Sequence, residues 1–96
     1  MTKYEIMFIV KTTMEAEKIK KTIDNMKKII TDGKGKIVEA KEMGERKLAY
    51  PIKKELNGFY VVLKVEAKPE VVSEFDRKAQ LSEAILRHLI IKLDEE

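Results

Sequence analysis

Apolar and polar residues alternate along four segments of this chain, the pattern of β-strands that bury one face. The first segment is apolar on one face and half apolar on the other, through Met7 and Ile9, so we expect it in the centre of a sheet. In the second segment the alternation is imperfect near Glu39, which indicates a β-bulge, and Gly44 is expected to break or bend the strand. The predicted strands are residues 4–10, 36–52, 59–67 and 85–92.

Two further segments repeat apolar residues at steps of three and four, the spacing of an amphipathic helix. Thr12 with Glu15 fits a capping box before the first helix, and Gly33 fits the left-handed position that ends it. Pro69 stands at the favoured first position of the second helix. The residues predicted to face the core are Ile19, Ile23, Met26 and Ile30 on the first helix and Val71, Val72, Phe75 and Ala79 on the second.

The resulting order of elements is β-α-β-β-α-β, which predicts an α+β fold of the ferredoxin-like type. Right-handed crossovers would place both helices on one face of a four-stranded antiparallel sheet and leave the other face open. Leu56-Asn57-Gly58 predicts the hairpin turn between the second and third strands, because Asn-Gly tolerates positive φ. The length of 96 residues predicts a single domain over residues 1–96, with a frayed acidic end at about residues 94–96.

The open face of this predicted sheet carries large apolar side chains near its middle, where an isolated domain would be polar. On the last strand, alternation assigns Leu86 and His88 to the helix-covered face. It assigns Ile85 and Arg87 to the open face. Apolar residues from at least three strands meet on this open face, which indicates an interaction surface. The apolar residues of that surface are Met7, Ile9, Tyr60, Val62, Leu89 and Ile91.

Residues 44–54 combine basic, aromatic and strand-forming features in the sequence Gly-Glu-Arg-Lys-Leu-Ala-Tyr-Pro-Ile-Lys-Lys. Cations stand at both ends of the stretch, and Leu48, Tyr50 and Ile52 alternate between them, so one face can be buried. Because Pro51 cannot donate to a sheet ladder, we expect this strand at an edge of the sheet. Such a strand suits contact with an anionic polymer or with another protein, and it holds no obvious nucleophile or base.

Composition narrows the chemistry that the chain can perform. There is no Cys, and His88 is the single His, which excludes disulfides, thiolate metal sites and a multi-His zinc site. No apolar run approaches the roughly 20 residues of a membrane span, and a cytoplasmic location is the simplest interpretation. The net charge of +3 is mildly basic, so binding of a polyanion would require the cations to be clustered. Because no nucleophile–base pair or phosphate-binding glycine loop stands out, we predict no enzymatic activity and no cofactor.

Three residues keep alternative interpretations. Arg87, an Arg among apolar neighbours, is expected to bind a phosphate, a carboxylate or a partner's carbonyl, or else to pair with Glu5 across the sheet. His88 is predicted to be a partly buried packing residue, the alternative being a ligand or a base. Tyr60 packs across strands or stacks on a base, as in a stand-alone single-stranded RNA binder of the RNA-recognition-motif type.

An acylphosphatase-like enzyme or small-molecule sensor would need an anion-cradling loop, and residues 11–14 contain no Gly.

The chain resembles the S-six (S6) family of bacterial small-subunit ribosomal proteins over nearly its whole length. The most specific part of the resemblance is the middle motif, which includes Gly44, Arg46 and Lys53. Supporting parts are the opening Tyr4-Glu5, the segment Phe75-Asp76-Arg77 and the segment Ile85-Leu86-Arg87-His88-Leu89. The centre of the middle motif reads Leu48-Ala49-Tyr50-Pro51-Ile52.

The resemblance implies a ferredoxin-like structural constituent of the small ribosomal subunit, without enzymatic activity or cofactor. It implies binding to the central domain of 16S ribosomal RNA together with ribosomal protein S-eighteen (S18), as a heterodimer that acts in subunit assembly and translation. Carried over by position, the candidate RNA contacts are Lys3, Arg46, Lys47, Lys53, Lys54 and Arg87. The apolar residues of the open face named above become the candidate contacts with S18.

Overall fold

The computed structural model describes residues 2–13, 15–52 and 55–93, and in it the predicted order β-α-β-β-α-β is confirmed. The predicted α+β ferredoxin-like fold is likewise confirmed. The acidic end at residues 94–96, which was predicted to be frayed, lies outside the described residues. The elements are β1 (Thr2–Lys11), α1 (Ala16–Asp32), β2 (Lys36–Ile52), β3 (Glu55–Ala67), α2 (Pro69–Leu81) and β4 (Ile85–Lys92).

The strands form one antiparallel sheet of four strands in the order β2-β3-β1-β4. β1 lies inside the sheet, between β3 and β4, as its half-apolar second face predicted. β2 is an edge strand, as Pro51 predicted, because an edge tolerates a missing N–H donor. The irregularities of β2 are also confirmed, since its register shifts between Ile37 and Glu39 and Gly44 has a φ of 84°.

Both helices cover the same face of the sheet, and the main core lies between them and the strands. Phe8 of β1 and Phe75 of α2 are fully buried, and their ring centroids lie 5.9 Å apart in a tilted arrangement. The predicted helical stripes are confirmed, with Ile19 and Val71 half-buried at their margins. The buried members are Ile23, Met26 and Ile30 on α1 and Val72, Phe75 and Ala79 on α2.

The ends of α1 differ from the predicted caps. The helix starts directly after Glu15, which is its N-cap and makes no side-chain capping bond, so the capping box of Thr12 and Glu15 is wrong. Gly33 has a φ of −82°, and the left-handed residue is Lys34 with a φ of 65°. A close contact accounts for this glycine, because a Cβ on Gly33 would come within 2.6 Å of a methyl group of Val71 on α2.

The hairpin turn predicted at residues 56–58 is wrong, because these residues lie within β3. Gly58 pairs with Arg46 in the β2–β3 ladder and with Lys11 in the β1–β3 ladder. Packing accounts for this glycine, since a Cβ on Gly58 would overlap a methyl group of Ile9 on β1. The Asn-Gly pair therefore reflects a close approach between neighbouring strands and not a reversal of the chain.

A bulge near the start of β4 changes the predicted faces there. Ile9 pairs with Arg87 whereas Val10 pairs with Ile85, so Leu86 is an extra residue in β4. The predicted faces of the first two residues are therefore wrong: Ile85 belongs to the main core, and Leu86 packs against Ile9 on the open side. From Arg87 onward the predicted alternation is confirmed.

Candidate nucleic-acid and protein interface

A shallow depression of about 200 Å³ lies on the open face, where Ile9, Tyr60 and Arg87 stand side by side on β1, β3 and β4. A second depression of about 160 Å³ continues it along the same strands. Because the side chains of Met7 and Leu89 line both, the two depressions form one continuous and mainly apolar surface, with Glu5 in the lining of the second. We call it the open-face groove, and its accessible apolar residues are Met7, Tyr60, Val62, Leu89 and Ile91.

Residues 48–51 of β2 leave the sheet ladder and turn onto the open face. Lys47 of β2 pairs with Asn57 of β3, and Ile52 pairs with Glu55. Four residues of β2 lie between these two pairs, but only one residue of β3 does. The four residues between these two points therefore cannot all pair, and Pro51 has no N–H to donate. The surplus length moves out of the ladder. We call residues 48–51 the strap.

Leu48 anchors the strap to the sheet. Its side chain is 7% exposed and forms a small cluster with Ile9 of β1 and Leu86 of β4. Tyr60 of β3 packs against this cluster from the side. The open face therefore has a second apolar core of its own, which is separate from the main core beneath the helices.

The far end of the strap meets β4 through one hydrogen bond, in which Arg87 Nη1 donates to the Tyr50 hydroxyl at 2.8 Å. Tyr50 belongs to one edge strand and Arg87 to the other, so the contact crosses three interstrand spacings, or about 14 Å of sheet. The alternative ion pair with Glu5 is not formed. Glu5 pairs with Ile91, which lies about 13 Å further along β4 than Arg87.

Comparison with known proteins identifies the family. A family model described as "Ribosomal protein S6" matches residues 3–92. The chain belongs to the ribosomal protein S6 family. Its structure is also similar to the crystal structure of 30S ribosomal protein S6 from Thermotoga maritima, with a TM-score of 0.91 and 31% sequence identity. That match covers 96% of this chain and 87% of the Thermotoga chain.

Membership of the S6 family makes the chain a structural constituent of the small ribosomal subunit. It is therefore a ribosomal protein of the cytoplasm that serves translation, and it is not an enzyme. The resemblance indicated by the middle motif is confirmed. In the structure, the central residues of that motif, 48–51, are the strap, so the most specific stretch of S6 sequence lies on the open face.

The predicted RNA contacts Arg46 and Arg87 lie at the same end of the open face. Arg46 pairs with Gly58, and paired residues of neighbouring strands point to the same side of a sheet. A Cβ added to Gly58 would point at Ile9 in the groove, so Arg46 also points to the open face. Both arginines are exposed, one on each edge strand. Lys47 is also exposed, but alternation turns it to the other side of β2.

Of the remaining predicted RNA contacts, Lys3 is not brought to this end. Arg87 pairs with Ile9 of β1, and Lys3 lies six residues before Ile9, or about 20 Å away along that strand. The Lys3 ammonium lies 3.8 Å from the Glu66 carboxylate. Lys53 and Lys54, like the side chain of Ile52, lie outside the described residues. Among the described residues, Arg46 and Arg87 are therefore the predicted RNA contacts that share this end of the open face.

The residues predicted to contact a protein partner all lie on the open face, but they differ in accessibility. Leu89 and Ile91 on β4 are 47% and 45% exposed. Ile9 is only 3% exposed because the strap covers it, so it forms the floor of the groove. The half-buried members are Met7, Tyr60 and Val62.

Sequence reasoning did not place Leu48, Tyr50 and Leu86 on the open face. Each depends on a register irregularity, at the strap or at the β4 bulge. β2 has more residues than β3 can pair, and this difference could have indicated the strap. It becomes visible only when the ends of both strands are known. Pro51 within a strand was the single local signal for it.

His88 is half-buried on the helix-covered side, where its Nε2 lies 2.5 Å from Asp76 Oδ1 of α2. Its predicted partial burial is confirmed, and the polar contact with Asp76, which was not predicted, ties α2 to β4. Within residues 2–13, 15–52 and 55–93, no group of three or more His, Asp or Glu side chains is placed to hold a metal ion. In the same part of the chain, no helix is long and apolar enough to cross a membrane.

Proposed function

We propose that this S6-family protein binds the central domain of 16S ribosomal RNA jointly with ribosomal protein S18, which docks on the open-face groove. The observation that carries the proposal is the placement of an apolar groove directly beside Arg87, with Arg46 at the same end of the sheet. An apolar surface supplies affinity for a protein, and exposed guanidinium groups bind phosphate. The open face can therefore bind S18 in the groove and RNA phosphate at the arginines beside it.

The charge of the chain supports joint binding over independent binding. A net charge of +3 is modest for a nucleic-acid binder. Each phosphate neutralised by Lys or Arg lowers log K by about 0.9 per decade of salt, so roughly three to five such contacts give weak binding at physiological salt. Docking of S18 would add its own contacts to a composite RNA surface. RNA binding by this protein is therefore obligately cooperative with its partner.

The test is a titration of the protein against the central-domain fragment of 16S ribosomal RNA, alone and with purified S18, at two salt concentrations. We expect tight binding only when S18 is present, because neither protein alone presents the full set of phosphate contacts. Comparable affinity with and without S18 would contradict joint binding. No binding under either condition would contradict the RNA role of the arginines.

A stand-alone RNA binder of the RNA-recognition-motif type is distinguished by Tyr60. Such a binder stacks a base on an outward aromatic ring, so Tyr60→Ala would weaken RNA binding in the absence of any protein partner. In this structure the Tyr60 ring is half-buried against the cluster of Leu48, Ile9 and Leu86. That packing favours a role in the protein interface over base stacking.

A further inference from the structure

The strap joins the two parts of the proposed interface. Leu48 is buried at one end of it, and Tyr50, two residues later, is 59% exposed and hydrogen-bonded to Arg87. The strap therefore forms one wall of the groove and also holds the guanidinium at the end of the groove. A change in how Tyr50 sits would alter both the shape of the apolar wall and the position of Arg87.

The hydrogen bond leaves Arg87 able to bind an anion. A guanidinium has five N–H donors in a planar fork, and the Tyr50 hydroxyl accepts from Nη1. Within residues 2–13, 15–52 and 55–93 the other donors meet no partner, so they can bind a phosphate, while the tyrosine restricts the rotamers of a long and exposed side chain. Restricting a side chain before binding reduces the ordering entropy that is lost when the ligand binds.

The dimensions of the groove indicate what enters it. The depression at the strap encloses about 200 Å³, which is below the usual range of about 300–1,000 Å³ for small-molecule sites. Its lining is mostly apolar, from Met7, Ile9, Leu48, Ala49, Tyr60 and Leu89, and Tyr50 and Arg87 complete it. A site of this size and lining fits one or two apolar side chains of a protein partner.

We infer that the Tyr50–Arg87 contact couples the two partners: a partner side chain in the groove fixes the strap, and Tyr50 then holds Arg87 in position for a phosphate. The inference rests on the proposed function and names the element that makes it cooperative. Tyr50 is a positioning residue, since it acts on the RNA through Arg87. A coupling of this kind is reciprocal, so bound RNA also raises the affinity for the partner by the same factor.

The first experiment examines the contact without either partner. In the free protein we expect the Arg87 guanidinium to give NMR signals of slowed rotation, and Tyr50→Phe to abolish them. Tyr60→Phe is the matched control, because it removes a hydroxyl from the same groove but leaves the Arg87 contact intact. Identical Arg87 signals in the wild type and Tyr50→Phe would overturn the inference whatever the RNA measurements give.

The second experiment measures coupling as the ratio of RNA affinities with and without S18. We expect Tyr50→Phe to lower that ratio about fivefold, within the usual range of coupling between sites. In an Arg87→Ala background, Tyr50→Phe should have no further effect. An equal loss in that background would overturn the inference and leave the proposed function intact, whereas a wild type that binds no RNA even with S18 would overturn both.

Discussion

The two faces of the sheet bury their apolar residues in different ways. On the helix-covered face, Ile6, Phe8 and Leu63 have no exposed surface. On the open face, Leu89 and Ile91 of β4 keep nearly half of theirs. Both faces are built by the same alternation, so the difference lies in what covers them. Two helices cover most of one face, and a four-residue strap covers only a small part of the other.

This difference separates the residues that stabilise the fold from those that are available to a partner. The main core gathers β1, β3, β4 and both helices around one set of buried side chains. The small cluster of Ile9, Leu48 and Leu86 gives the open face a fixed shape without closing it. Substitutions on the two faces should therefore affect different properties of the protein.

The largest expected effect concerns two adjacent residues of β1. Phe8→Ala should lower the free energy of unfolding by about 3–5 kcal/mol, because it leaves a cavity beside Phe75. Met7→Ala, on the half-buried open side, should cost about 1 kcal/mol or less. Urea denaturation of both variants measures this, and similar losses for the two would contradict the division between the faces.

The next effect concerns a leucine on each side of the sheet. Leu89→Glu places a carboxylate in the groove and should weaken binding of S18 by about tenfold or more, or about 1.4 kcal/mol. Leu81→Glu is the matched control, since Leu81 is 70% exposed at the end of α2 in the helix layer. Calorimetry with S18 gives both affinities. Equal losses would show that the added charge, and not the groove, is responsible.

A smaller effect is expected for the arginine of the open face. Arg87→Ala should weaken RNA binding in the presence of S18 roughly tenfold and reduce the salt slope by about 0.9, the value for one phosphate contact. Arg77→Ala is the matched control on α2, where Arg77 hydrogen-bonds Glu74 and so lowers the pKa of that carboxyl. We expect its salt slope to match that of the wild type. An unchanged slope for Arg87→Ala would exclude a phosphate contact at this position.

Local patterns were sufficient to predict much of the fold. The helical stripes, the inner position of β1 and the edge position of β2 follow from spacing and from Pro51, and the structure confirms them. Gly58 shows where such patterns fail. A glycine is required at this position because a methyl group of Ile9, which is distant in the sequence, leaves no room for a Cβ. No local sequence rule distinguishes this requirement from that of a turn.

In the candidate site, too, the residues on regular stretches of strand were predictable and those at irregularities were not. Alternation placed Arg87 and Leu89 correctly on the open face, because β4 is regular beyond its bulge. Leu86 and the strap were not predictable from alternation, since each lies where one strand has more residues than its neighbour can pair. Irregularities of this kind depend on the register of two strands, which is fixed only when the whole sheet has formed.

The most direct test of the account is methyl NMR of the protein as S18 is added. We predict chemical-shift changes for the methyl groups of Met7, Val62, Leu89 and Ile91, which line the open-face groove. Methyl groups beneath the helices, such as those of Ile23, Met26 and Val72, should keep their positions. Changes centred on the helix layer, with the groove unaffected, would contradict the claim that the open face is the functional face of this protein.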